Sequence, residues 1–412
     1  MTRRLATPAL LAAAGLALLA ASAQARTDAP AADPGITSTT VTIGGTVPLS
    51  GVAAAYASVG YGADAYFKYV NARGGVNKRK IVYKYTNDEY NPANTVQATR
   101  QLVQEEQVFA IFNSLGTEHN LAIRPYLNQV KVPQLFAVSG ASTLGNDYKK
   151  YPYTVPGFLP SYIAEGRIYG RVIGGIKRNA RVAVLYQNDD YGSDLLTGLK
   201  QGLRFYGKGG KVVAAEGYAL TDADVGSQVA TLARSRADMF VIVATPKPTI
   251  QAFIAVNKLG WKTKILVNAV SSASNTMKIA AASSGKVAEG ALSIVFLKDP
   301  NDPGLRRDAG VKLYRSIMAR HGKGDVNDVY NVYAMAAAHA FVTALQNAGR
   351  NPTRASLLRA ATNLRDATNP FFLPGITVQI KPNDRFAVKQ ARLQKWTKGR
   401  WVAYGAVLNA RG

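Results

Sequence analysis

Residues 108–143 read VFAIFNSLGTEHNLAIRPYLNQVKVPQLFAVSGAST, and this stretch decides the fold. Residues 108–112 and 132–138 are short apolar runs of the kind that form buried strands, and residues 120–129 between them are patterned as a helix. Strands joined through a helix predict a parallel pair. Each strand ends in a turn of small polar residues, Asn113-Ser114-Leu115-Gly116-Thr117 and Ser139-Gly140-Ala141-Ser142-Thr143. Both turns therefore lie at strand C-termini, where doubly wound sheets bind ligands. Free backbone N–H groups there, with Ser and Thr hydroxyls beside them, suit a carboxylate. Ordinary turn and capping chemistry explains either turn alone equally well; two together point to a site.

The same rhythm extends in both directions. Upstream, residues 41–47 and 81–86 read as strands, with helices over 53–72 and 92–106. After the Pro/Tyr-rich stretch 151–156 the pattern starts again. Helices are expected over 161–176, 193–205, 225–236 and 249–259, and strands over 181–186, 211–217, 239–244 and 264–268. Beyond residue 297 come helices over 305–320, 328–348 and 353–364, then strands near 375–380 and 386–396. Residues 334–340 are so rich in small apolar side chains that this helix is expected to pack on a sheet face, with His339 in or near the core. The expected class is α/β, with two doubly wound, Rossmann-like lobes.

The first 25 residues stand apart. Arg3 and Arg4 precede an apolar run over 9–21, and Ala23-Gln24-Ala25 is a small-x-small cleavage site, the pattern of a secretory signal peptide. Residues 26–40 read as a linker. The 412 residues hold 50 Lys+Arg against 25 Asp+Glu, a formal charge of +25, and no Cys. Without Cys, disulfides, zinc thiolates, iron–sulfur clusters and lipid attachment through Cys are excluded. The basic residues are scattered, with no basic helix face or aromatic-interleaved strand, so no nucleic-acid partner is expected. The charge supports solubility or steering of anionic ligands.

Catalytic motifs are missing. No Ser sits in a G-x-S-x-G elbow, and His119, His321 and His339 share no metal-ligand spacing. Residues 202–208 resemble a phosphate loop, but Gly209 stands where a Ser or Thr would bind magnesium. No G-x-G-x-x-G follows the first strand. No enzyme activity, cofactor or metal is expected.

Several stretches do carry a resemblance: VTIGGTVPLSG over 41–51, YVNARGGV over 69–76, and Val132-Pro133 running into the 139–143 turn. Together they resemble the type I periplasmic solute-binding proteins, in particular the leucine/isoleucine/valine-binding components of ABC importers. Residues 186–192 (YQNDDYG) resemble the second-lobe loop that this family places in its cleft, and the likeness runs from about 41 to 401. It implies two lobes joined by three crossovers near Pro156, Leu297 and Lys389, with lobe 1 over 41–156 and 298–388 and lobe 2 over 157–297 and 389–412. It implies a periplasmic monomer that closes on a small carboxylate ligand and docks on a membrane permease. A ligand-sensing receptor, or less readily a secreted enzyme, is the alternative. By resemblance Ser114, Leu115 and Thr117 form one carboxylate-binding loop, Gly140 and Ser142 a second, Tyr56 an aromatic wall, and Tyr191 the approach from the other lobe. The family's amino-acid binders supply an acid after the last strand of lobe 2. Here that loop reads Asn268-Ala269-Val270-Ser271-Ser272-Ala273, without Asp or Glu, and Lys247 stands where an aromatic is common, as a candidate contact to a second anionic or polar end of the ligand. An ammonium buried there would lack its counter-charge, at several kcal/mol. With Tyr56, Tyr162 and Tyr191 near the expected loops, an aromatic or aliphatic acid is the rival to a branched-chain amino acid.

Overall fold

Val41, Ile43 and Val47 are fully buried in the strand β1 (Thr40–Val47), which two neighbours flank. The computed structural model describes residues 1–2 and 33–409. Nearly all of the expected signal segment, and residues 26–32 of the expected linker, lie outside them. Contacts divide the chain into residues 1–32 and 33–412, and every named helix and strand belongs to the second unit. Of the expected linker, the described part is tied to this unit: Asp33 Oδ2 accepts from Arg354 N at 2.6 Å, and Ile36 bridges to Val41.

After β1 come α1 (Ser58–Asn71), β2 (Lys80–Asn87), α2 (Pro92–Gln104), β3 (Ile111–Phe112) and α3 (Thr117–Gln129). They are followed by β4 (Gln134–Ala137), a short α4 (Ser142–Asn146) and β5 (Thr154–Pro156). The five strands form one parallel sheet in the order β2-β1-β3-β4-β5. The chain then enters a second sheet through α5 (Tyr162–Ile176), β6 (Arg181–Gln187), α6 (Asp190–Tyr206), β7 (Lys211–Tyr218) and α7 (Gly226–Arg234). It continues with β8 (Met239–Val243), α8 (Pro246–Lys258), β9 (Lys264–Val267), α9 (Ser274–Ser284) and β10 (Leu292–Val295). Three helices follow, α10 (Ala309–His321), α11 (Val329–Asn347) and α12 (Arg354–Thr362), before the strands β11 (Gln390–Thr397) and β12 (Arg400–Asn409). Sheet two has the order β12-β11-β10-β9-β8-β6-β7; β6 to β10 run parallel, and β11 and β12 add antiparallel edge strands. Two sheets, reached alternately by one chain, make the two lobes.

α11 returns to the first lobe. Apolar all round, it is buried almost throughout, as a helix without a polar face must be. It lies against α1 so closely that a Cβ on Gly62 would meet the Asn331 carbonyl oxygen at 2.5 Å. Phe67 and Phe341 cross edge to face at 5.8 Å in the same contact. His339, half-buried, places Nδ1 3.0 Å from Asp366 Oδ2.

Several boundaries move for local reasons. The helix expected from residue 53 is a 3-10 turn, Ala54–Tyr56, before α1 proper. α6 starts at Asp190, earlier than expected, because the Asp189 side chain caps Gly192 N at 3.1 Å. α8 starts at Pro246, a residue whose missing N–H suits the first helical turn. The strand expected near 375–380 is reduced to isolated bridges, Val378 with Val388 and Gln379 with Arg365, in a stretch bounded by Pro374 and Pro382. α4, β5, α9, β10 and β12 have no counterpart among the elements expected from the sequence.

Candidate functional site

Gly116 sets the centre of the site. Its φ of 112° belongs to backbone that glycine adopts freely, and a Cβ there would stand 2.2 Å from His119 Nδ1. Because Gly116 is the N-cap of α3, no side chain caps that helix. Its first N–H groups, and the positive end of its dipole, are left for whatever lies in front. Thr117 follows, its Oγ1 2.7 Å from Ser139 Oγ in the neighbouring turn. The expected pair of strand-end turns thus meets through two hydroxyls.

In front of Gly116 and Thr117 lies a cavity of about 90 Å³. Both lobes line it. Tyr56, Tyr90, Tyr162, Tyr191, Tyr330 and Tyr333 line it, with Leu115 and Val138 from lobe 1 and Ala269 and Val270 from lobe 2. Tyr56 and Tyr330 pack edge to face at 5.0 Å, and Tyr162 and Tyr191 tilt together at 4.9 Å. Burial pushes the phenol pKa of each of these six upward, so all are neutral hydroxyls at physiological pH. Among the described residues lining the cavity, none is charged. Behind the 268–271 loop lies a buried acid, Glu165 on α5. Its Oε1 is committed to Ala269 N and the Tyr169 hydroxyl, both at 2.7 Å, and burial raises its pKa to about 7.

The lobes are shut over this cavity. The hydroxyls of Tyr56 and Tyr330, from lobe 1, both donate to the Val270 carbonyl of lobe 2, at 3.1 and 2.7 Å. Outside the cavity, Asp194 on α6 accepts from Ser142 N at 2.6 Å and from Ser142 Oγ at 3.0 Å. A longer contact runs from Asp190 N to Glu118 Oε1 at 3.4 Å.

Of the nine residues singled out from the sequence, Tyr56, Leu115, Thr117, Tyr162 and Tyr191 border the cavity. The other four lie elsewhere. Ser114 stands behind it, its Oγ accepting from Thr46 N at 3.1 Å. Gly140 is packed under Tyr162, whose N–H donates to its carbonyl at 2.8 Å. Ser142 is occupied by Asp194. Lys247 is exposed in the first turn of α8. Sequence reasoning missed Tyr90, Val138, Val270, Tyr330 and Tyr333. Asp328 signals the start of α11 by capping Tyr330 N at 3.0 Å, but nothing local shows which sheet that helix will meet.

Comparison with known proteins places this geometry. The profile of the family described as periplasmic binding protein matches residues 40–400. A "Leu/Ile/Val-binding protein homolog 1" from Brucella abortus (strain 2308) is 24% identical over 323 residues, covering 76% of this chain and 79% of the relative. The chain resembles the structure of a branched chain amino acid ABC transporter protein from Thermus thermophilus with bound valine, at TM-score 0.77 and 18% identity, over 91% of this chain and 97% of the other. It also resembles an ABC transporter solute binding protein from Rhodopseudomonas palustris BisB5 in complex with 3,4-dihydroxy benzoic acid. There the TM-score is 0.72 and the identity 20%, over 90% and 98% of the two chains.

Proposed function

We propose, from the premise that the chain belongs to the periplasmic binding protein family, that it is the solute-capturing component of an ABC importer for a small aromatic or aliphatic carboxylic acid. The lobes are assigned as 41–156 with 298–388 and 157–297 with 389–412, exported by a signal peptide cleaved after Ala25. The protein works as a monomer, closes on its ligand and delivers it to a membrane permease. It performs no chemistry on the solute.

One observation carries the choice of ligand: an uncapped helix N-terminus opens onto a cavity whose wall is tyrosine and aliphatic side chains without charge. The carboxylate sits against the N–H groups at the start of α3 and the Thr117 hydroxyl, where the helix dipole favours an anion. The remainder of the ligand lies among the tyrosine rings, whose hydroxyls can meet a polar substituent. An amino acid brings an ammonium as well. With no carboxylate on the wall, its burial is penalised by several kcal/mol. The Thermus and Rhodopseudomonas neighbours were solved with valine and with a dihydroxybenzoate, so the fold accommodates both ligand types. The uncharged wall favours the second here.

A thermal-shift screen tests this reading. Benzoate, 4-hydroxybenzoate, phenylacetate and short fatty acids are compared with leucine, isoleucine and valine. Stabilisation by one or more of the simple acids supports it; stabilisation by the amino acids alone overturns it.

A further inference from the structure

α5 and α6 lie side by side in the same direction, joined through glycines. A Cβ on Gly170 would fall 2.4 Å from the carbonyl carbon of Gly202, and one on Gly174 would fall 2.1 Å from the Tyr206 carbonyl oxygen. The C-terminal ends of the two helices therefore form one surface. On α6, Leu195, Leu199 and Leu203 are buried, which turns the end of the helix outward at Phe205 and Tyr206. Phe205 is 68% exposed and Tyr206 39%, with Ile176 at the adjoining end of α5 exposed to 41%.

The charge around these side chains is mostly positive, with Asp238 and Glu289 standing among Lys177, Lys262 and Lys264 beside Ile176. Residues 166–188 and 195–215 hold nine Lys or Arg and no Asp or Glu. Of the nine, Lys177 alone makes an ion pair among the described residues, to Asp238 at 2.6 Å. The Arg171 guanidinium stands 5.8 Å from the Tyr206 ring centroid, and that of Arg204 5.9 Å from Phe205. This surface is the pole of lobe 2 where β6 and β7 begin. The cavity lies beyond their other ends, roughly 23 Å away for a strand of seven residues.

We propose that this pole docks the protein on an anionic lipid surface. Exposed aromatic side chains with Arg171 and Arg204 against their rings, in a surface where cations outnumber acids, match the bilayer interface. Rings settle at headgroup depth while Lys and Arg are drawn to anionic lipid. A second copy of the chain fits less well, because two such surfaces would bring like charges together in the low dielectric of an interface. Docking through this end leaves the cleft free, and it depends on no particular ligand.

Co-sedimentation of the full chain with large unilamellar vesicles tests the proposal. Vesicles of equal parts phosphatidylglycerol and phosphatidylcholine are compared with vesicles of phosphatidylcholine alone. The protein should sediment with the anionic vesicles at low salt and be released at 1 M salt, where the screening length is about 3 Å. The double variants Phe205→Ser/Tyr206→Ser and Arg171→Gln/Arg204→Gln should each lower partitioning about tenfold or more, with unchanged melting curves. Parental binding by both folded variants would show that another part of the chain holds the lipid and would overturn the proposal. So would equal binding to phosphatidylcholine alone, or a dimer that Phe205→Ser/Tyr206→Ser dissociates.

Discussion

Asp194 offers the cleanest test of closure, because it joins the lobes without lining the cavity. Its carboxylate accepts two hydrogen bonds from Ser142, at 2.6 and 3.0 Å, that exist only while the lobes are together. Hydrogen bonds to a charged group contribute about 1.5–3 kcal/mol each. Against this stands the water that the carboxylate gives up on closing. Burial is the largest influence on its pKa and pushes it up, with the two Ser142 bonds opposing. The net contribution is then about 1–2 kcal/mol, a factor of roughly 5–30 in the closed-to-open ratio. Ligand affinity scales with the closed population, so Asp194→Ala should raise the Kd by the same factor. Asp194→Asn keeps an acceptor but loses the charge, and neutral bonds are about half as strong, so its Kd should rise about two- to fivefold. Titration calorimetry reads the affinity, and stopped-flow should place the change mainly in dissociation. The order of preference among ligands should not change, since no ligand contact is removed. An Asp194→Ala affinity within twofold of the parent, or a reordered ligand series, would refute the reasoning.

Three further outcomes follow from the geometry. Gly116→Ala forces an L-residue to φ 112° and sets its Cβ against His119, so it should lower stability by about 2–4 kcal/mol and abolish ligand-induced stabilisation; a thermal melt with and without ligand checks both. Tyr56→Phe and Tyr330→Phe each remove one neutral hydrogen bond to Val270, so each should weaken binding by about 1 kcal/mol, roughly fivefold, in calorimetry; an unchanged double variant would show that the lobes do not close through this carbonyl. Burial raises Glu165 from 4.5 to about 7, so the folded protein holds this proton more tightly than the unfolded chain. Its contribution is therefore fully present below about pH 4.5 and is lost as pH rises through 7, amounting to at most about 3 kcal/mol. Asp189 and Asp328, each raised to about 6, act in the same direction. Urea melts at pH 5 and pH 8 should show a smaller pH difference for Glu165→Gln than for the parent, and an equal difference would contradict the assignment.

Much of the fold was legible because its signals are local. The apolar runs at β1, β6 and β8 alternate with helical patterns, and the side chains of Asn91, Asp189, Asp308 and Asp328 cap the helices that follow them. Several of the elements that escaped notice depend on tertiary partners. β10 has four residues and pairs with Leu266 of β9 on one side and, about a hundred positions later, with Leu393 and Lys395 of β11 on the other. The cavity divides in the same way. Its Gly116–Thr117 floor was visible because two strand-end turns of small polar residues occur in succession, where either alone is ordinary turn chemistry. Ser142 looked equally suitable, but Asp194, 52 residues on, takes both of its donors. The Tyr330 wall arrives on a helix from the far end of lobe 1. The Val270 contact is a backbone carbonyl, which no choice of side chain announces.

Small-angle X-ray scattering, with and without the acid that gives the largest thermal shift, addresses capture by closure most directly. The account predicts a smaller radius of gyration on addition of the ligand, and recovery of the solute chemically unaltered from the same sample. An unchanged radius with the ligand demonstrably bound, or a solute returned as a different compound, would contradict it.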